Sequence, residues 1–203
     1  MLDRLQQQLA EASGAELVAV ALGVAYIVLA IRRRRACWLA GGLSTAIYAV
    51  VFLQAALYLQ SMLQVAYVAL SVYGWRQWSA AAGGDAVEPR RWPARRHAQA
   101  ALAVLAATLV TAPVLAQSTD AAAPWADALG TFASVAATWM MAQRISEHWL
   151  WWIVIDLGLA LLFLSQELVF TAVLYAGFAV MAGAGFVSWR RALARPVQEG
   201  GAA

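Results

Sequence analysis

Long apolar runs separated by short charged or turn-rich breaks dominate the chain. Seven runs lie near residues 14–31, 36–53, 58–78, 98–117, 125–143, 148–165 and 168–189. Each approaches or reaches the roughly 20 residues that a helix needs to cross the hydrocarbon core of a bilayer. The segment 79–97, rich in Gly, Pro and Arg, is typical of a flexible loop. The pattern predicts an all-α polytopic membrane protein with seven transmembrane helices.

The composition agrees with a membrane protein and excludes disulfides and thiolate metal sites. Of 203 residues, 63% are hydrophobic and only 12% are charged, and the mean hydropathy is +0.66. Soluble domains are nearer half apolar and a quarter charged. The single cysteine, Cys37, excludes an internal disulfide and a cluster of thiolate ligands. We therefore predict no thiolate-bound structural zinc and no iron–sulfur cluster, and we expect no other cofactor.

All fourteen basic residues are arginines, and their distribution predicts an orientation. If the N-terminus lies outside and seven helices follow, Arg4 is outside and the other thirteen arginines face the cytoplasm. This is the bias expected of cytoplasmic loops. The chain is thus predicted to have its C-terminus in the cytoplasm. Because the charge is sorted by side, a nucleic-acid partner is a poor explanation of the pI of about 9.4.

One ungapped offset of 111 residues aligns the two halves of the chain. It pairs Arg33 with Arg144, Trp38 with Trp149, Gly74 with Gly185 and Trp78 with Trp189. The offset predicts a single membrane domain, 1–203, with two parallel three-helix repeats (14–78 and 125–189) joined by a linker helix at 98–117. Parallel repeats of this kind are a transporter plan with substrate held near the midplane.

One acid, Asp156, falls inside the sixth apolar run. It lies roughly 12 Å beyond the start of that run at His148, close to the predicted midplane. The spacing places Trp149 and Trp152 on the same helix face as Asp156. Intramembrane carboxylates are functional by default, although a neighbouring hydroxyl could also satisfy a purely structural Asp156. Glu147 and His148 are expected to be solvated at the cytoplasmic mouth.

Further polar side chains recur at helical spacing in the other runs. Gln64 and Tyr67 on the third run form the strongest candidate face, because an amide and a phenol can together bind hydroxyls and aromatic rings. Thr138 on the fifth run and Tyr175 on the seventh are further candidates. Many of these groups are expected to serve ordinary interhelical hydrogen bonds, and no more than half to contact substrate. Trp152 beside a carboxylate suits a flat cation through cation–π attraction.

Two segments resemble those of the PnuC-type vitamin transporters. They are "LYLQSMLQVAYVALSVYGWRQW" at 57–78 and "SEHWLWWIVIDLGLALLFL" at 146–164. The resemblance implies a fold related to the SWEET sugar transporters, a homotrimer, a bacterial inner-membrane location, and facilitated diffusion of nicotinamide riboside. It also implies that Gln64, Tyr67, Trp149, Trp152 and Asp156 contact the substrate. Family members can carry an amide where this chain has Asp156, so the acid favours a cationic ligand and leaves the vitamin open.

The leading hypothesis is a transporter of nicotinamide riboside that works by alternating access. Thiamine, riboflavin or a deoxynucleoside remain alternative substrates, and proton coupling through Asp156 is a second possible mode. A non-transporting membrane sensor or scaffold also remains open. An enzyme is not expected, since the two histidines and Cys37 lie at helix edges and no nucleophile is paired with a base. No ATP-binding motif of the G-x-x-x-x-G-K-[ST] type occurs.

Overall fold

The computed structural model describes residues 14–54, 58–81, 86–118, 123–165 and 169–194. Most of these residues belong to seven α-helices. They are α1 (Gly14–Ile31), α2 (Cys37–Gln54), α3 (Tyr58–Ala81), α4 (Ala94–Ser118), α5 (Pro124–Ala142), α6 (His148–Ser165) and α7 (Val169–Leu193). The described ranges contain no β-strand, only two isolated bridges between loop and turn residues. The all-α class and the seven helices predicted from the apolar runs are confirmed.

Five of the seven helices, α1, α2, α4, α6 and α7, are long and apolar enough to cross a membrane. The protein is therefore a multi-pass membrane protein. α3 and α5 have sufficient length but carry more polar side chains, such as Gln64 on α3 and Asp127, Ser134 and Thr138 on α5. Polar groups at membrane depth must face protein or water. α3 and α5 are thus the helices on which a protein-facing polar site is most expected.

The described chain forms two compact units that divide between Val87 and Glu88. In the first unit α2 packs against both α1 and α3; in the second, α6 packs against α5 and α7, while α4 packs against α5. The predicted loop 79–97 is shorter than expected, since α3 continues to Ala81 and α4 begins at Ala94. The single membrane domain with parallel repeats stays a prediction. Arg4 and Arg195, which enter the predicted orientation, lie outside the described residues.

A left-handed arginine ends the first helix of each predicted repeat. Arg33 has φ 60°, its amide donates to the Ala30 carbonyl at 2.9 Å, and the Arg34 amide donates to the Leu29 carbonyl at 2.9 Å. These two bonds define a Schellman cap, in which glycine is the usual left-handed residue. Arg144, at φ 65°, ends α5 with the equivalent pair of hydrogen bonds. The same backbone turn therefore occurs at both positions of the 111-residue offset.

A tryptophan packed against a glycine joins two helices in each unit. The Trp38 indole of α2 covers Gly74 of α3, and the Trp149 indole of α6 covers Gly185 of α7. At either glycine, an added Cβ would overlap the indole. Glycine therefore permits the close approach of backbone and ring at both sites. The paired tryptophans and glycines that revealed the offset thus have a common packing role.

Candidate functional site

Asp156 lies in the middle of α6 and its side chain is buried, with 5% of its surface exposed. Burial of a carboxylate is costly unless the charge is compensated. Among the described residues, no resolved hydrogen bond or ion pair involves this carboxylate. The Asp156 carboxylate is therefore buried, and its oxygens can still bind a ligand because the described residues leave them without a hydrogen bond or ion pair.

Tyr175 of α7 is the described residue placed beside Asp156. The two side chains are close enough to interact electrostatically. The Tyr175 ring is half-buried and packs at 5.2 Å from Phe163 and at 5.7 Å from Phe178. These contacts fix the plane of the phenol while the hydroxyl remains available as donor or acceptor. The structure thus brings together two of the predicted site residues, one from α6 and one from α7.

Trp149 has a different environment from the one expected of a ligand-stacking side chain. It is 5% exposed, and its indole lies between the Gly185 backbone and the neighbouring rings of His148, at 4.5 Å, and Trp189, at 6.1 Å. Trp38 has the equivalent packing on Gly74 in the first unit. The faces of Trp149 are therefore occupied by protein, and its direct effect is to hold α6 against α7.

Trp152, one turn further along α6, is partly buried and packs toward α5. It contacts a small apolar cluster formed by Val104, Ala133, Ala137 and Ile155. Because Trp152 retains exposed surface, it can still offer part of its indole to a ligand. This tryptophan is thus the better stacking candidate of the two that share a face with Asp156.

Thr138 of α5 is buried, with 7% of its surface exposed. Its hydroxyl donates to the Ser134 carbonyl at 2.8 Å, one turn earlier in the same helix. The donor of Thr138 is therefore already used, while the oxygen can still accept a hydrogen bond. Thr138 can assist a ligand that presents a donor, such as a hydroxyl or an amide.

Gln64 and Tyr67 lie on α3 of the first unit, and both side chains are partly buried. The predicted site residues therefore fall into two groups: these two in the first unit and the other five in the second. Tyr67 interacts electrostatically with Tyr26 of α1, which is not among the predicted site residues. A phenol inside a largely apolar helix was the available signal for Tyr26. The aromatic ring of Tyr26 also packs edge-on against Trp38 at 6.4 Å.

Thr45 occupies the position equivalent to Asp156, and the two side chains have different surroundings. The Thr45 hydroxyl reaches the carbonyls of Gly41 and Gly42 at 3.0 and 3.2 Å, so it is satisfied inside its own helix. Asp156 has no such arrangement among the described residues. Of the two equivalent positions, the one in the second unit therefore carries a buried acid.

His148 and Glu147 were expected to be solvated, and for His148 this prediction is wrong. His148 is completely buried, with its Nδ1 at 2.7 Å from the Ile145 carbonyl oxygen and its ring at 4.8 Å from Trp189. The tight turn before α6 places His148, the first residue of the helix, against α7. Its equivalent in the first unit, Cys37, is also fully buried. The alignment of His148 with an apolar cysteine at the 111-residue offset is thus a sequence signal for its burial. Glu147 remains one-fifth exposed.

The arrangement in the second unit suits binding more than bond-making chemistry. It provides a carboxylate, a phenol, a hydroxyl and part of an indole, all on α5, α6 and α7. No group of three His, Cys, Asp or Glu side chains that could hold a metal ion occurs within the described ranges. Polar groups gathered inside apolar helices are the usual construction of a substrate pathway through a membrane. The apolar helices together with these buried polar side chains favour a membrane transporter.

Comparison with known proteins places the chain in a specific group. The model of the family described as "Nicotinamide mononucleotide transporter" matches residues 13–191, nearly all of the described helices. The chain therefore belongs to the nicotinamide mononucleotide transporter family.

Two related proteins agree with this assignment. The riboflavin/roseoflavin transporter RibM of Streptomyces davaonensis is 28% identical over 145 residues, which is 68% of each chain. The crystal structure of the vitamin B3 transporter PnuC has the same fold, with a TM-score of 0.72 at 22% identity, over 95% of this chain and 87% of that one. The resemblance stated from the sequence is thus confirmed.

Proposed function

We propose that this chain carries nicotinamide riboside across the bacterial inner membrane by facilitated diffusion with alternating access. The observation on which the proposal depends is the buried carboxylate of Asp156, which lacks an ion-pair partner among the described residues. A monovalent pyridinium cation would neutralise that charge. A nucleotide would bring a phosphate into the same apolar surroundings, so a carboxylate favours the nucleoside. The family membership and the fold shared with a vitamin B3 transporter support a ligand of this class.

In the proposed site, each side chain acts on one part of the ligand. Trp152 stacks on the pyridinium ring, and Asp156 balances its charge. Tyr175 and Thr138 bind ribose hydroxyls or the carboxamide. Trp149 keeps α6 in place against α7, and through that contact it positions Asp156.

Gln64 and Tyr67 of the first unit are further proposed substrate contacts. Transport would occur by alternating access, the mode of transporters built from parallel repeats. We further propose the orientation predicted from the arginines, with the N-terminus outside, and a homotrimeric assembly. Neither feature is needed for the binding chemistry at Asp156.

Riboflavin is the second candidate, because the related RibM is a riboflavin/roseoflavin transporter. Its ring system is neutral, and its ribityl chain carries several hydroxyls. Asp156 would then accept hydrogen bonds instead of balancing a charge, and Trp152 would stack on the flavin. Thiamine is a further cationic alternative, and a deoxynucleoside a further neutral one. The charge of the ligand is thus the property that distinguishes the candidates.

Binding to the purified protein, measured by calorimetry with a panel of these compounds, tests the proposal. Wild type is expected to bind nicotinamide riboside more tightly than riboflavin, thiamine or a deoxynucleoside. Asp156→Asn should weaken nicotinamide riboside binding by roughly tenfold to a hundredfold, since a charge-assisted contact contributes about 1.5–3 kcal/mol. The same substitution should have little effect on any residual binding of riboflavin.

Asp127→Asn is the matched control, because Asp127 is an exposed acid on α5 of the same unit. It removes the same charge and should leave affinity unchanged. Preferred binding of riboflavin by wild type, with Asp156→Asn harmless, would replace nicotinamide riboside by the second candidate. Thiamine binding alone would keep a cationic site and change the vitamin. Saturable uptake into vesicles would exclude a non-transporting sensor or scaffold.

A further inference from the structure

A cavity of about 740 Å³, open to the surface, lies where α7 ends and contains none of the proposed substrate contacts. Its described lining combines three guanidinium groups with an apolar wall, formed by Arg91, Arg190, Arg191, Phe186, Val187 and Leu193. The volume lies in the range of pockets that hold small ligands. We propose that this cavity binds the head group of an anionic membrane phospholipid, a role beyond the transport function proposed above.

The three arginines differ in how much of their charge is already compensated. Arg91 lies at 4.0 Å from the Glu147 carboxylate, at the limit of an ion pair. Arg190 lies over the Phe186 ring at 5.6 Å, a contact that leaves its charge in place. Both Arg190 and Arg191 are exposed, and neither forms an ion pair within the described residues. The cavity therefore has a net positive rim.

The combination of charge and apolar surface selects an amphiphilic anion. Guanidinium groups bind phosphate through paired hydrogen bonds, and basic pockets between membrane helices bind anionic head groups. Phe186 and Val187 lie about one helical turn before Arg190 and Arg191, towards the membrane-spanning part of α7. They provide a surface on which the first carbons of an acyl chain can lie. A free phosphate would use the arginines but would leave this wall exposed.

The internal repeat shows that the arginine pair is not a requirement of the fold. The positions equivalent to Arg190 and Arg191 at the end of α3 are Ser79 and Ala80. Cationic residues in a last helical turn also stabilise the helix dipole, but α3 forms the same turn without them at these two positions. The paired guanidiniums are therefore a feature of the second unit, where the cavity is.

Native mass spectrometry of the detergent-purified protein, titrated with phosphatidylglycerol or phosphatidylcholine, tests the inference. Wild type is expected to bind phosphatidylglycerol roughly 10- to 30-fold more tightly than phosphatidylcholine. Arg190→Gln with Arg191→Gln should abolish this preference. Arg95→Gln with Arg96→Gln is the matched control: it removes two exposed charges from the start of α4, outside the cavity, and should preserve the preference to within about twofold.

A third variant separates the cavity from its charge. Val187→Trp keeps every arginine but fills the space with an indole, and it should also remove the preference for phosphatidylglycerol. All of these positions are exposed, so folding should be unaffected. Equal losses in the Arg95/Arg96 control would show a general charge effect and overturn the proposal. Competition by inorganic phosphate as strong as that by the intact lipid would also overturn it, in favour of a free-phosphate site.

Discussion

Trp149 and Trp152 lie one turn apart on α6, yet their surroundings indicate different roles, one in helix packing and one in ligand contact. Trp149 is enclosed by the Gly185 backbone and the Trp189 ring, whereas Trp152 is partly exposed beside a small apolar cluster. Burial alone therefore separates a residue that holds helices together from one that can reach a ligand. The same distinction holds for Thr45 and Asp156, where one polar group is satisfied by its own helix and the other is not.

Alanine substitution should separate these two tryptophans experimentally. Trp152→Ala is expected to weaken nicotinamide riboside binding by roughly tenfold, because base–aromatic stacking contributes about 1–3 kcal/mol. Trp149→Ala should instead lower the free energy of unfolding by about 3–5 kcal/mol, the usual effect of deleting a large buried ring. Calorimetry and thermal unfolding of the same preparations measure both quantities.

Trp151→Ala provides the control for Trp152→Ala. Trp151 is also partly buried and packs on the same apolar cluster, but it lines an apolar cavity between α4, α5 and α6. Its loss should leave ligand affinity unchanged. If Trp151→Ala and Trp152→Ala weaken binding equally, the effect is a general disturbance of α6, and Trp152 does not stack on the ligand.

At the scale of helices, the close contact between Trp149 and Gly185 sets how near α6 and α7 can approach. Gly185→Ala places a methyl group inside the volume of the indole, so the ring or α7 must shift. We expect a loss of about 1–3 kcal/mol in the free energy of unfolding, as for overpacked cores. Thermal or denaturant unfolding in detergent measures it. Because Asp156 lies on α6, the helix that carries Trp149, ligand affinity should also fall.

Gly183→Ala on α7 is the matched control, since a Cβ at Gly183 meets no atom within 4 Å. Alanine has the higher helix propensity, so this variant should be neutral or stabilised by up to about 1 kcal/mol. A Gly185→Ala protein as stable as wild type would show that the indole can move aside at little cost. In that case Trp149 would not determine the position of α6.

The helices themselves were largely predictable from the sequence. The runs at 36–53 and 148–165 correspond to α2 (Cys37–Gln54) and α6 (His148–Ser165), because arginines and turn residues interrupt the apolar pattern sharply. The left-handed conformation of Arg33 was not predictable, since glycine is the residue that usually signals such a turn. The Arg33 side chain explains in part why an arginine occupies this turn, because its guanidinium donates to the Val87 carbonyl at 3.2 Å.

For the candidate site, the sequence indicated depth but not packing. The position of Asp156 near the middle of the sixth apolar run follows from counting along one helix, and the structure adds that its side chain is buried. The burial of His148 under Trp189 depends on a residue 41 positions away, and a helix-by-helix count cannot show such a contact. The neighbouring position of Tyr175 also depends on how α6 and α7 pack. Local periodicity carries no information about that choice of neighbours.

At the scale of the molecule, the two units share backbone and packing features but differ in their polar side chains. The capped turns at Arg33 and Arg144 and the tryptophan–glycine contacts recur at the 111-residue offset. Equivalent polar positions have diverged: Gln64 corresponds to Tyr175, and Thr45 to Asp156. A ligand without internal symmetry needs different groups on its two sides. Recurring backbone geometry with diverged polar side chains fits a protein whose ligand lacks internal symmetry.

The transport mode follows from how the charge of Asp156 is balanced when no substrate is bound. If the carboxylate stays ionised, each transport cycle moves one substrate cation and therefore one net charge. Flux then responds to the membrane potential, by about 2.3 kcal/mol per 100 mV, and not to a proton gradient. If the empty carboxylate instead carries a proton, one cation exchanges for one proton. Flux then responds to the proton gradient and not to the potential.

We expect the first behaviour in proteoliposomes to which radiolabelled nicotinamide riboside is added from outside. A potassium diffusion potential, negative inside, should drive accumulation, while a pH gradient at clamped potential should have no effect. Asp156→Asn should lower the rate without making it sensitive to pH, and Asp127→Asn should match wild type. Accumulation driven by the pH gradient and lost in Asp156→Asn would contradict facilitated diffusion and identify Asp156 as the proton carrier, because no other described acid lies in the middle of a helix.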